Sequence, residues 1–171
     1  DELRMRDTLQ HIVANEHPHS CSIGIFDETG HDKKGDKTPG VQRQWCGRSG
    51  KIDACVVTVH LNYTAGDFHC LLDGELFLPE EWANDRDRCR AAGIPDDMLY
   101  RPKWQIALEL RSRAVANGVR FEWLGFDEGY GKVPEFLFAL DDAGQRYVGE
   151  IPAIFTGWLV EPDILHKEHH C

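Results

Sequence analysis

Two apolar runs separated by a short turn constrain the fold of this chain most strongly. The first run, residues 53–63 (DACVVTVHLNY), alternates between apolar and polar side chains, as a half-buried strand does. Its apolar positions are Cys55, Val57, Val59, Leu61 and Tyr63. The sequence TAGD then predicts a turn, and residues 68–78 (FHCLLDGELFL) predict the returning strand. The pattern therefore predicts an antiparallel hairpin with one buried face.

The segments around the hairpin predict an α/β domain. Residues 21–26 (CSIGIF) predict a short strand ending at Asp27, and residues 30–50 a connection rich in Gly, Lys and Arg. The strongest helix is RPKWQIALELRSRAVANG, with Pro102 in its first turn and Gly118 just past its end. A strand (VRFEWLGF), a helix (PEFLFALDDAG) and a strand (RYVGEIP) follow. This order predicts a ribonuclease H-like, mixed five-stranded sheet flanked by helices.

Composition sets broader limits. The chain has 171 residues, enough for one domain with a real core, and a formal net charge of −10. That charge argues weakly against nucleic-acid binding, although HDKKGDK and QRQWCGRSGK are locally basic and could track phosphates. The six cysteines include no CxxC pair, and the N-terminus has no signal-peptide pattern. We therefore expect a cytoplasmic protein.

Two acidic residues stand where a catalytic site could form. Asp27 and Asp127 each follow a predicted strand, and these two strands are neighbours at the centre of a ribonuclease H-like sheet. Two-metal phosphoryl transfer needs carboxylates that converge from different elements, and such oxygen ligands suit Mg²⁺ or Mn²⁺. Carboxylates at strand ends also cap helices and turns, so spacing alone leaves both interpretations open.

Four segments in order carry a resemblance to a known family: DETGHDKKG, GVQRQWCGRSGKIDACVV, LFLPEEWANDRDRCRAAGIP and FDEGYG. They closely resemble the DDE transposases of bacterial insertion sequences over roughly residues 20–160. The resemblance implies that Asp27 and Asp127 are catalytic carboxylates that bind Mg²⁺ or Mn²⁺. It further implies DNA cleavage at element ends, strand transfer to a target, a synaptic homodimer and a place at the bacterial nucleoid.

The chain departs from that family pattern in one respect. The family uses a third acid, a Glu on a helix after the last core strand, whereas Glu161 and Glu168 lie in a segment with no convincing helical pattern. We therefore expect three parts: the end of an N-terminal helical region (1–20), a partial catalytic core (21–155) and a polar tail leading towards a missing C-terminal segment (156–171). The alternative is an inactive truncated remnant that binds DNA or a full-length partner without catalysis.

Other residues near these motifs are candidates for supporting roles. The candidate DNA contacts are Lys33, Lys34, Arg43 and Tyr130, and the candidates for positioning the metal ligands are Glu28, Thr29 and Glu128. The basic residues could equally belong to a solvated loop, and the tyrosine could stack on a base or pack in the core. Thr29 could bond within its own turn.

Three further interpretations concern groups outside this set. Glu109 lies on the long helix and is expected to pair with Arg113 one turn later rather than bind metal. The segments HPHSC and HKEHHC offer zinc-type ligands but lack a recognised spacing, which leaves an unrelated metal-binding domain as a remote alternative. The aromatic residues expected in the core are Trp104, Phe121, Trp123, Phe136 and Phe138.

Overall fold

One long strand at the middle of the sheet organises the fold. The computed structural model describes residues 2–157. In chain order the elements are α1 (Glu2–Glu16), β1 (Ile23–Asp32), β2 (Gln42–Cys46), β3 (Lys51–Ala65), β4 (Phe68–Leu76), α2 (Glu80–Asn84), α3 (Arg86–Ala91), α4 (Lys103–Ala116), β5 (Trp123–Phe126), α5 (Glu128–Gly131), α6 (Pro134–Asp142) and β6 (Tyr147–Gly149). None of the helices in this described part is long and apolar enough to cross a lipid bilayer.

The strand order confirms the ribonuclease H-like arrangement. Strand β3 pairs antiparallel with β1 on one side, and with β2 and then β4 on the other. Strand β5 pairs parallel with β1, and β6 with β5, which gives a mixed, open sheet. Within the described residues the sheet has six strands rather than the five predicted, because β2 forms inside the segment expected to be a connection.

The alternating face of β3 is the centre of the core. Val57, Val59 and Leu61 are at most 2% exposed, and the predicted hairpin with β4 is confirmed. Helix α4 packs on this face through buried aliphatic side chains at helical spacing. A fully buried aliphatic side chain contributes about 1.5–3 kcal/mol, so the periodicity of β3 and α4 supplies much of the stability of the fold.

A buried charge network fastens α1 to the sheet. The Asp73 side chain on β4 is fully buried, and its carboxylate accepts hydrogen bonds from Gln10 at 3.0 Å and from Arg113 on α4 at 2.7 Å. Arg6 approaches the same carboxylate at 3.3 Å. The prediction that Glu109 pairs with Arg113 is wrong. Glu109 pairs with Arg101, because Arg113 forms ion pairs with Asp73 and Glu75 on β4.

Two local predictions also need correction. Strand β1 does not end before Asp27 but continues to Asp32, paired with β3 along its whole length. Two aromatic residues expected in the core are exposed: Trp123, at 38%, on the outer face of β5, and Phe138, at 65%, on α6. Both elements bury one face only, so an aromatic residue at the wrong phase of the repeat points outward.

Candidate active site

The parallel pair of β1 and β5 brings the two candidate aspartates together. The ladder matches Ile25 with Gly125 at its last position, and each aspartate lies two residues further along the chain. Asp27 is still within β1, whereas Asp127 is the first residue after β5 and caps α5. Two acids 100 positions apart in sequence thus follow the same ladder position at the same offset.

The strand pleat turns both aspartates away from the core. Their preceding neighbours, Phe26 and Phe126, are buried at 2% and 7% exposure, whereas both aspartates are exposed. Successive side chains alternate between faces, so packing of the two phenylalanines fixes the direction of the carboxylates. Pairing of Asp27 with His60 on β3 also holds its backbone from the other side.

Each aspartate uses one oxygen to bind backbone and leaves the other available. The Oδ1 atom of Asp27 accepts from the N–H of Glu28 at 2.7 Å, and that of Asp127 from the N–H of Gly129 at 2.9 Å. The second contact caps helix α5, so the capping interpretation is correct for Asp127. Within residues 2–157 neither Oδ2 atom has a hydrogen-bond partner, which leaves one oxygen on each strand for a ligand.

A cleft of about 580 Å³ opens in front of the aspartates. Strand β1, the β2–β3 hairpin, the start of α4 and the segment around α5 form its walls. Besides the acids, its lining contains two lysines, Lys103 and Lys132, and an exposed tryptophan, Trp45. The cleft thus combines a pair of carboxylates with separate cationic and aromatic groups, which suits an anionic ligand held beside a cation site.

Glu28 lies in the same cleft but is engaged by another side chain. Its carboxylate forms an ion pair with Lys103, whose ammonium also lies 5.3 Å from the centre of the Phe77 ring. Glu128 is the first residue of α5 and is exposed. The Thr29 carbonyl accepts a hydrogen bond at 3.4 Å from the hydroxyl of Thr58, which lies on β3. Glu28 alone of these three candidates lines the cleft.

Tyr130 packs its ring in the core, the second of its two predicted alternatives. The ring centre lies 5.5 Å from that of Phe136 and 6.1 Å from that of Phe26, and the residue is 2% exposed. Burial and then the charges of Glu28, Asp127 and Asp27 raise the pKa of the hydroxyl, which keeps it protonated. The hydroxyl has no hydrogen-bond partner in the described part of the chain, and Tyr130 lines the cleft beneath the carboxylates.

The basic residues expected to contact DNA lie outside the acidic cleft. Lys33 and Lys34 are exposed in the loop that follows β1. Arg43 is exposed on β2 and lines a separate, shallower depression with Arg88 and Glu81. The cations that do line the cleft, Lys103 and Lys132, were missed. Both could have been noticed, since one begins the strongest predicted helix and the other directly follows the DEGYG motif.

The described residues offer two candidate metal ligands. In residues 2–157 no three side chains of the His, Cys, Asp or Glu type gather closely enough to hold an ion. Asp27 and Asp127 nevertheless offer two hard oxygen ligands on a rigid frame, which fits Mg²⁺ or Mn²⁺. In the HPHSC segment His17 stacks on Phe68, and His19 Nδ1 accepts from the Cys21 N–H at 3.0 Å. Glu161, Glu168 and the HKEHHC segment lie outside the described residues.

Comparison with known proteins agrees with this geometry. The model of the DDE superfamily endonuclease family matches residues 1–170. A probable transposase for insertion sequence element IS701 from Microchaete diplosiphon is 33% identical over 150 residues, which cover 86% of this chain and 35% of that protein. The chain therefore spans about a third of the length of the relative it matches, and the resemblance predicted from the four motifs is confirmed.

Proposed function

Because the chain belongs to the DDE superfamily endonucleases, we propose that its acidic cleft is the active site of a metal-dependent DNA transposase. The reaction would cut a DNA strand at the end of an insertion sequence and join the freed 3′-hydroxyl to a target. One observation carries the proposal: Asp27 and Asp127 follow the last paired position of two adjacent parallel strands at the same offset, and both line one cleft. The alternative, an inactive remnant, is not favoured by the family match.

The two aspartates would hold a Mg²⁺ or Mn²⁺ ion through their free Oδ2 atoms. Such an ion supplies positive charge that stabilises the attacking and leaving oxygens of phosphoryl transfer. The protein's part is to keep both carboxylates in place before DNA arrives. The N–H groups of Glu28 and Gly129 do this by fixing the Oδ1 atoms, so little reorganisation is needed on binding.

The cationic groups of the cleft would place the DNA backbone. Lys132 is exposed beside Asp127 and has no ion-pair partner among the described residues, so it is available to a phosphate. Lys103 is held by Glu28, and a phosphate would compete for it. Lys33, Lys34 and Arg43 would contact DNA phosphates outside the cleft, since none of them lines it. Phosphate contacts of this kind position the duplex without reading its sequence.

We propose further properties for the whole protein. These are a homodimer in the synaptic complex, action at the bacterial nucleoid, and the division into a helical end (1–20), a core (21–155) and a tail (156–171). Glu28, Thr29 and Glu128 would support the ligands, with Glu28 best placed to do so because it alone lines the cleft.

The decisive experiment measures Mn²⁺ binding by calorimetry for the wild type, Asp27→Ala and Asp127→Ala. Asp142→Ala is the matched control, because Asp142 is an exposed acid at the end of α6, away from the cleft. We expect binding to weaken at least tenfold in each cleft variant and to be unchanged in the control. Nicking of supercoiled plasmid in Mn²⁺ should fall in the same two variants. An Mn²⁺ affinity that is unchanged in both Asp27→Ala and Asp127→Ala would refute the proposal.

A further inference from the structure

The β2–β3 hairpin presents a tryptophan to solvent at the rim of the acidic cleft. Trp45 is 63% exposed although it lies within a strand, and its partner across the hairpin, Ile52, is 60% exposed. Trp45 also lines the cleft that contains Asp27 and Asp127. A large aromatic side chain left open beside a candidate active site indicates a ligand surface rather than a packing role.

The hairpin is held firmly against the strand that carries Asp27. Cys46 is fully buried on Gly30, where a Cβ atom would lie 2.7 Å from the cysteine Sγ and 3.2 Å from its Cα. The same Sγ donates to Asp32 Oδ1 at 3.1 Å. Glycine at position 30 thus permits the close approach, and strand alternation then turns the neighbouring Trp45 outward. The position of Trp45 relative to Asp27 is therefore fixed by packing.

The charge around Trp45 indicates what kind of ligand binds there. Residues 42–52 contain Arg43, Arg48 and Lys51 and no acidic side chain, while Asp32 contacts Cys46 and Asp53 lies opposite Gln44 on β3. Neither arginine forms an ion pair among residues 2–157, while Lys51 pairs with Asp53 at 3.0 Å. Arg43 is exposed on the same face of β2 as Trp45. A cation on the same strand face as an exposed aromatic ring matches the phosphates and bases of a nucleic-acid strand.

We propose that Trp45 stacks on an unpaired base of the DNA strand that enters the cleft, with Arg43 and Arg48 on the flanking phosphates. The proposal rests on the function proposed above and specifies its substrate as DNA that is unpaired next to the cut site. In a duplex only base edges reach the grooves, whereas a base that has left the stack offers the flat face that an indole ring binds. A wholly apolar partner surface would leave the two arginines unmatched.

The test is an equilibrium DNA-binding measurement by fluorescence anisotropy in EDTA, where metal binding and cleavage play no part. The probes are a paired duplex, the same duplex with three unpaired nucleotides at one end, and that splayed duplex with abasic sites in the unpaired part. Stacking on one base is worth about 1–3 kcal/mol, so Trp45→Ala should weaken binding to the splayed duplex by about tenfold. Binding to the paired and abasic probes should change less than twofold, and Trp45→Phe should recover most of the affinity.

Trp123→Ala is the matched control, because Trp123 is an exposed tryptophan on β5 that does not line the cleft. It should leave all three affinities unchanged. Equal losses on paired and splayed DNA, or no loss in Trp45→Ala, would overturn the proposal. So would self-association of the wild type that Trp45→Ala abolishes, since the hairpin would then be an interface between copies. Failure of the Mn²⁺ experiment with the stacking pattern intact would refute the metal site and leave the stacking surface in place.

Discussion

Replacing Asp127 by Asn and by Ala should separate its structural role from its role as a ligand. Asn keeps an oxygen that can accept from the N–H of Gly129, whereas Ala removes the cap of α5, which costs about 1 kcal/mol. Both variants remove the repulsion between two exposed carboxylates. This repulsion is worth at most about 1 kcal/mol in a water-like dielectric, because the strands stop pairing after Ile25 and Gly125. Without metal, Asn should therefore be at least as stable as the wild type, by up to about 1 kcal/mol, and Ala no more stable than the wild type.

Metal should reverse this order. At a concentration of Mn²⁺ one hundred times the dissociation constant, the wild type gains about 2.7 kcal/mol, while variants lacking one ligand gain far less. For a protein of this size 1 kcal/mol shifts the unfolding midpoint by about 2–4 °C, so the wild type should rise by about 5–10 °C.

Thermal unfolding of the three proteins in EDTA and in Mn²⁺ measures both effects, with Asp142→Asn as the control. An Asn variant that keeps the full Mn²⁺ shift would show that Asp127 does not bind the metal. The capping role would be refuted by a different result in EDTA. In that result the Asn and Ala variants would be equally stable, and both would be less stable than the wild type.

Three further predictions follow from contacts elsewhere in the fold. Asp73→Ala should lower the free energy of unfolding by about 3–5 kcal/mol in urea titration, because it leaves Arg113 without its buried acceptor; a loss below about 1 kcal/mol would contradict this. Burial would raise the pKa of Glu75, but hydrogen bonds and charges from Arg101 and Arg113 lower it below 4.5. Because the pKa of Glu75 is lower in the folded state, its ionised form stabilises the fold fully above the unfolded-state pKa, and this contribution is lost as the pH falls below about 4.5. Glu75→Gln should therefore flatten that part of the curve of unfolding free energy against pH. Gly131→Ala should cost about 3 kcal/mol or more in thermal unfolding, because the new Cβ would lie 2.0 Å from a backbone carbonyl oxygen beyond β6; an unchanged midpoint would show that the chain yields there.

Sequence periodicity predicted the elements that bury a regular face. Strand β3 alternates between buried and less buried residues from Val57 to Ala65 and α4 repeats at helical spacing, so both appear at the predicted places. Strand β2 was missed because four of its five residues, QRQWC, are not buried and its only fully buried side chain is that of Cys46. A strand held by backbone pairing to a neighbour, with little apolar burial of its own, leaves no periodic signal.

The same reasoning explains what could be said of the site. Placement of Asp27 beside Asp127 followed from topology, because strand order in an α/β sheet is restricted and acids after buried strands are visible in the sequence. The lysines of the cleft were not predictable, since Lys103 at a helix start is an ordinary surface residue until the loop before α4 folds over Glu28. The ring of Tyr130 could be assigned to the core only once α6 was in place beside it.

The error over the end of β1 has a structural consequence for the site. Strand β1 stops pairing with β5 after Ile25 but stays paired with β3 as far as Asp32. Asp27 therefore lies at the point where the two central strands separate, with one backbone edge held by His60 and the other facing the cleft. An acid at a true strand end would depend on a loop for its position. An acid within a strand that is paired on one side only is rigid and yet open to a ligand, as a preformed metal site requires.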